Sequence, residues 1–221
     1  MVPPPRLRSL PTLPIADVRP ALERAERRLD EAGASPAALA AILRWLELLC
    51  EWNGRIDLTA ARSGGELVDL MLADAAAISA HLPAGARVVD VGTGAGAPGL
   101  ALALMRPDLT VTLCEPLAKR ASFLRTVIGS VNRTDVTLIA KRGEELAPAT
   151  WDEAMARATL PPEEWLALGA KLVKPGGGVW VLLASGEAPS RPDAAVTLDE
   201  RYEWAETKVT RRIVRYAISS R

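Results

Sequence analysis

The stretch VVDVGTGAGAPG (88–99) restricts the fold of this chain more than any other. A short apolar run carries Asp90 near its end, and Gly92, Gly94, Gly96 and Gly99 follow it. A strand that breaks into a glycine loop and resumes as an apolar helix opens a βαβ unit. Such a loop lies at the carboxyl end of its strand, where open α/β sheets bind ligands. Gly94, Gly96 and Gly99 spell G-x-G-x-x-G, the dinucleotide fingerprint. With Asp90 and Gly92 the motif widens to D-x-G-x-G-x-G.

Downstream of this loop, runs of strand length recur at 110–115, 135–140, 153–157 and 178–185, after the first at 86–91. Helical stretches fit at 98–105, 118–128 and 161–172. Strict alternation predicts a mostly parallel sheet covered on both faces. The last run, KVTRRIVRYAIS (208–219), has no helix before it and reads as part of an antiparallel edge hairpin. Upstream, three helices are expected: over 18–32, from Ser35-Pro36 to Asn53-Gly54, and from Ser63 onward. The spacing of Leu22, Ala25 and Leu29, and of Ile42, Leu46 and Leu49, marks their core faces. The expected organisation is a flexible lead-in (1–16), a helical cap (17–84) and a cofactor-binding α/β domain (85–221). Trp45 and Trp52 read as packing residues, Asn53 as a helix C-cap, and His81 as compensation for a helix dipole.

A dinucleotide and S-adenosylmethionine both suit a glycine loop. Asp90 separates them, because a carboxylate beside the loop opposes a pyrophosphate and favours a sulfonium and an ammonium. Pro98 removes an N–H at the start of the following helix, where a phosphate would need donors. Glu115 ends the second run, about twenty residues beyond Gly94, where a carboxylate reaches ribose hydroxyls. S-adenosylmethionine is therefore the expected cofactor.

The acceptor is narrowed by what is missing. Cys50 and Cys114 sit inside apolar runs, so neither suits the nucleophile that pyrimidine C5 methylation needs. ATLPPEEW (158–165) lacks the Asn/Asp-Pro-Pro-aromatic loop common in exocyclic-amine methylation. Guanine N7 needs positioning but no general base. Lys119, Arg142 and Arg157 fall just past the ends of the second, third and fourth strands, where they would ring the cofactor crevice and grip phosphates. The cluster Lys208, Arg211, Arg212, Arg215 and Arg221 reads more simply as solvated charge.

Composition excludes several classes. Lys plus Arg equals Asp plus Glu at 27 each, so an RNA partner must be held by a local patch. The single histidine, His81, and the absence of a Cys/His cluster argue against a metal. Two separated cysteines read as buried thiols in a reducing cytoplasm. No run reaches transmembrane length, and the Pro- and Arg-rich start lacks an apolar signal core.

EWNGRIDLTA (51–60), DVGTGAGAPG (90–99), EPLAKRASFL (115–124), KRGEEL (141–146) and ARA (156–158) together resemble the bacterial guanine-N7 methyltransferases of 16S ribosomal RNA, also called the glucose-inhibited division protein B family. The resemblance covers residues 39–186. It implies a Rossmann-like class I methyltransferase with an N-terminal helical cap. It implies an S-adenosylmethionine site of Asp90, Gly92, Thr93, Gly94, Gly96, Pro98 and Glu115, with Glu144 near the adenine. Lys119, Arg142 and Arg157 would serve substrate binding and activity. The implied substrate is 16S ribosomal RNA in the small subunit or its precursor. Separately, a monomer with no metal and no membrane partner is expected. The chain departs from the family pattern at Asp57, Met71, Ala75, Ala97 and Ser185. Those departures keep two alternatives open, a methyltransferase for another acceptor and a non-catalytic ribosome-binding paralogue.

Overall fold

The computed structural model describes residues 14–219. The lead-in expected over 1–16 lies almost wholly outside them; its last residues enter a 3-10 turn, Ile15–Asp17. Three helices follow: α1 (Val18–Glu31), α2 (Pro36–Asn53) and α3 (Gly64–Ser79). Local chemistry sets their starts. Ser35 Oγ accepts from Ala38 N at 3.2 Å, with Pro36 in the first turn of α2. Ser63 Oγ accepts from Glu66 N at 3.2 Å, while Glu66 Oε2 accepts from Arg62 N at 2.8 Å.

The remainder alternates as expected: β1 (Arg87–Val91), α4 (Gly99–Met105), β2 (Thr110–Cys114), α5 (Ala118–Ser130), β3 (Thr137–Ile139), β4 (Trp151–Ala156), α6 (Pro162–Leu172) and β5 (Val173–Leu183). β6 (Ala194–Glu203) and β7 (Thr210–Ile218) close the chain. The seven strands order as β3-β2-β1-β4-β5-β7-β6. The first five run parallel, and β7 is antiparallel to both β5 and β6.

Most boundaries shift by a few residues from the sequence reading, and two of the shifts alter which residues sit in loop or strand. β4 stops at Ala156, so Arg157 begins the loop rather than ending the strand. β5 starts at Val173 and runs through the Lys174-Pro175-Gly176 segment before its apolar stretch. The closing hairpin also has an order the sequence did not suggest. β7, the apolar strand, is interior, and the largely exposed β6 takes the edge. Charged side chains along β6 suit an edge, where they discourage pairing with another chain.

Alternation along β1 divides the core. Val89 and Val91 pack on the face covered by α6, with Trp165, Leu166 and Val179. Val88 packs on the opposite face with α4, Phe123 and the N-terminal helices. Period two puts Asp90 on the same face as Val88. One continuous cluster joins α1–α3 to α4 and the sheet. Trp45 is fully buried in it, and Trp52 stacks at 5.7 Å from Phe123, so both tryptophans pack as expected. His81 instead meets the C-terminal hairpin, with Nε2 at 3.5 Å from Glu200 Oε2.

The C-terminal arginines are not solvated charge. Arg211 pairs with Asp69 of α3, Arg212 Nη2 with Asp199 Oδ2 at 2.5 Å, and Arg215 Nη2 with Glu153 Oε1 at 2.5 Å. Arg221 lies outside the described residues. Glu153 is buried in the sheet, and Trp180 Nε1 donates to its Oε2 at 2.7 Å. Arg215→Ala would strand this carboxylate. It is expected to lower unfolding stability in urea by about 3 kcal/mol, as loss of one partner from a buried pair does. A change below about 1 kcal/mol, the ceiling for exposed pairs, would refute that reading.

Candidate functional site

A cavity of ≈ 680 Å³ lies over the carboxyl ends of β1, β2 and β4, walled by the loops that follow them. A larger groove of ≈ 930 Å³ runs between α1, α3 and the turn joining β6 to β7. That groove includes neither the strand ends nor the glycine loop, so the chemistry belongs to the smaller cavity.

Its floor is the loop after β1, and Asp90 holds that loop from below. The Asp90 side chain is wholly buried and does not line the cavity. Its Oδ2 accepts from Thr93 Oγ1 at 2.6 Å and from Gly99 N at 2.8 Å. Its Oδ1 is buried with no hydrogen-bond partner. Asp90, expected at the cofactor, thus lies beneath the loop and supports it rather than reaching the cavity surface. The reason is geometric: period two points residue 90 under α4, and Gly99 leaves room for it. A Cβ on Gly99 would stand 2.6 Å from Asp90 Cβ.

This arrangement also spends the first donors of α4. Gly99 N bonds to Asp90, Leu100 N bonds to Gly96 O at 2.7 Å, and Pro98 has no N–H. A pyrophosphate would find neither of those two amides free and would face a buried carboxylate. Gly96 adopts φ +115°, and a Cβ there would come within 3.1 Å of Trp45. Trp45 Nε1 in turn donates to Ala95 O at 3.0 Å, so α2 braces the loop. Gly96 and Pro98 therefore shape the loop from beneath, whereas Gly92, Thr93 and Gly94 line the cavity.

Glu115 stands in the wall, 2% exposed. Its Oε2 accepts from Gly94 N at 2.9 Å and its Oε1 from Leu117 N at 2.9 Å. Each oxygen keeps a second lone pair for ribose hydroxyls. A Cβ on Gly94 would meet only Gly92 O, at 4.0 Å, so its free face is open. The pieces fit S-adenosylmethionine: a carboxylate for the ribose, an open backbone approach, and a buried carboxylate with one unpartnered oxygen under the loop. Glu144 lines the cavity beside Gly143, on the loop following β3.

Three guanidinium side chains reach the cavity: Arg120, Arg142 and Arg157. Lys119 is exposed on the first turn of α5 and does not line it. Adjacent helical positions diverge by about 100°, so Arg120 takes the inward place. Motif order alone could not choose between neighbours in Lys119-Arg120, and the missed signal was the helix phase. Arg157 Nη1 donates to Asp74 Oδ2 at 2.9 Å and also to Leu70 O. Leu58 and Met71 close the cavity from the helical side. Asn53 is no C-cap: fully buried, it accepts from Leu58 N and Thr59 N at 3.0 Å each, folding the 54–59 loop against the site. Of the sequence departures, Met71 and Ala97 line the cavity, while Ala75 and Ser185 do not. Both cysteines are buried and unpaired by disulfide, and burial lifts each thiol to about 11. Among the described residues no His/Cys/Asp/Glu group could hold a metal, and no helix is long and apolar enough to cross a membrane.

Fold and site together define a class I S-adenosylmethionine-dependent methyltransferase. In the solved structures, 1,6-didemethyltoxoflavin-N1-methyltransferase from Burkholderia thailandensis, with S-adenosylhomocysteine bound, superposes with a TM-score of 0.56 over 85% of this chain and 92% of that one, at 17% identity. The family model for rRNA small subunit methyltransferase G matches residues 38–207, and the chain belongs to this family. Ribosomal RNA small subunit methyltransferase G of Xanthomonas axonopodis pv. citri is 38% identical over 183 residues, 81% of this chain and 82% of that one. The protein of that name from Methylobacillus flagellatus is 35% identical over 161 residues, 71% and 76% of the two chains.

Burial lifts the Asp90 carboxyl from 3.8 to about 6, against the opposing pull of Thr93, Gly99 and the Arg157 charge. The folded chain then holds this proton more tightly than the unfolded chain. The stabilisation is complete below the unfolded value and is lost as pH rises through about 6, an effect of about 3 kcal/mol. Asp90→Asn is expected to flatten that slope in urea unfolding between about pH 4 and pH 7. Parallel pH profiles for the two proteins would show that Asp90 does not titrate in this way.

Proposed function

We propose that this protein transfers a methyl group from S-adenosylmethionine to N7 of a guanine in small-subunit (16S) ribosomal RNA. The observation that carries this reading is the cavity itself, in which three arginines flank a cofactor-type glycine loop and no histidine or cysteine lines the wall. Guanine N7 offers a ready lone pair, so its methylation releases no proton at the acceptor. The positive charge passes from the sulfonium to the purine. Such a reaction calls for positioning, not for a base.

S-adenosylmethionine supplies the electrophilic methyl group. The chain's own residues do the rest. Gly92, Thr93 and Gly94 bring backbone against the cofactor, Glu115 takes its ribose, and Glu144 lies toward its adenine. Asp90, Gly96 and Pro98 keep the loop in shape. Arg120, Arg142 and Arg157 grip phosphates and turn the base toward the methyl group. Lys119, on the neighbouring surface, extends the cationic footprint. Residues 17–84 act as a cap over the transfer domain, 85–221. The substrate is a small subunit or its late precursor in the cytoplasm, bound by a monomer.

The direct test uses purified protein, methyl-labelled S-adenosylmethionine and small subunits from a strain lacking the N7 enzyme. Label in 16S RNA with a single borohydride-aniline cleavage site is the expected result. No label, with cofactor binding confirmed, would overturn the reading and leave another acceptor or a non-catalytic paralogue. Substrate binding is expected to weaken steeply with salt, which binding of a neutral small acceptor would not. Arg142→Ala is expected to abolish transfer while leaving cofactor affinity within about 3-fold, under 1 kcal/mol. A parallel loss of cofactor binding would contradict this division of labour.

A further inference from the structure

Arg157 is held from outside the parallel part of the sheet. Its Nη1 carries both of its protein hydrogen bonds, to Leu70 O and to Asp74 Oδ2. Nε and Nη2 have no protein partner among the described residues, and the side chain is 26% exposed at the cavity. Asp74 is 3% exposed on α3, and its other oxygen, Oδ1, accepts from the Tyr202 hydroxyl of β6. The edge strand of the C-terminal hairpin thus reaches the methyl-transfer cavity through one carboxylate. A second tie joins the hairpin to α3 without touching the cavity: Thr207 and Arg211 both bond to Asp69.

We infer that Tyr202 and Asp74 are positioning residues for methyl transfer, fixing Arg157 so that its Nε and Nη2 face the acceptor nucleotide. The inference rests on the function proposed above. An arginine just past the end of a strand has four side-chain torsions, and immobilising it costs rotamer entropy. Here α3 supplies two acceptors to one nitrogen, and Tyr202 keeps the carboxylate turned so that Oδ2 meets it. The charge balance matters equally. The acceptor purine gains positive charge during transfer, and an unpaired guanidinium beside it would oppose that change. Asp74 offsets part of that charge while also facing Arg211 of β7, so Arg157 presents donors to the nucleotide at reduced net charge.

The test compares Tyr202→Phe with Thr207→Val, which cuts the other tie from the same hairpin. Cofactor titration first fixes the active fraction of each protein. Tyr202→Phe is expected to lower kcat about 5–10-fold, the loss of one hydrogen bond acting through geometry, with cofactor affinity unchanged. Thr207→Val is expected to keep kcat within about 2-fold of wild type. In an Arg157→Lys background, Tyr202→Phe is expected to lower kcat no further, because the arginine it positions is gone. Equal losses in Tyr202→Phe and Thr207→Val would mean that hairpin docking alone matters, and would overturn the inference. So would full additivity with Arg157→Lys, or an unchanged kcat in Tyr202→Phe. A wild-type protein that labels no small-subunit RNA would instead sink the functional reading, so the two failures are distinct.

Discussion

The buried carboxylate of Asp90 organises the cofactor side of this molecule. It joins the end of β1, the glycine loop and the first turn of α4 through two hydrogen bonds to one oxygen. A charge with no solvent and one unpartnered oxygen is costly, and its raised pKa records that cost. Hydrogen bonds from Thr93 and Gly99 offset part of it. The same bonds consume the donors that would have welcomed a phosphate. Cofactor choice is therefore set less by the glycines than by what lies beneath them.

The loop is braced from several sides. Trp45 of α2 holds Ala95 O and crowds Gly96. Thr159, after β4, donates to Val91 O at 3.1 Å and packs against Gly92. Glu115 holds Gly94. The N-terminal helices are consequently part of the support and wall of the cavity. Leu58 and Met71 line the cavity, and Asn53 shapes the segment that carries Leu58.

Cationic residues divide by partner. Arg211 and Arg215 bind acids of α3 and β4 and help attach the hairpin, while Arg212 ties β7 to β6 within it. Arg120 donates to Asp57 O at 3.2 Å, a carbonyl acceptor that leaves its charge unpaired. Arg142 also lines the cavity and belongs to no ion pair among the described residues. Arg157 stands between the two groups, ion-paired yet at the cavity. A chain with no net charge can in this way keep a local cationic rim for an anionic polymer.

Much was legible in the sequence. Alternating apolar runs and helices specify a parallel α/β sheet, because side-chain period follows directly from backbone geometry. The D-x-G-x-G-x-G loop and Glu115 marked the cofactor site, because the backbone conformations and charges they supply are local properties. The family resemblance was equally local, carried by short motifs. What depended on packing was hidden. Helix phase chose Arg120 over Lys119 for the cavity. Strand phase turned Asp90 inward beneath α4. The exposed pattern of β6 offers little periodic signal, so the edge strand, and with it Tyr202, became visible only once the chain had folded. Ion pairs such as Arg157 with Asp74 or Arg215 with Glu153 join residues distant in sequence. The sequence by itself determined the fold class, the cofactor loop and the family, since each is written in neighbouring residues. Only the tertiary structure decided which charges face the cavity and which hold the protein together, since that depends on partners brought close by folding.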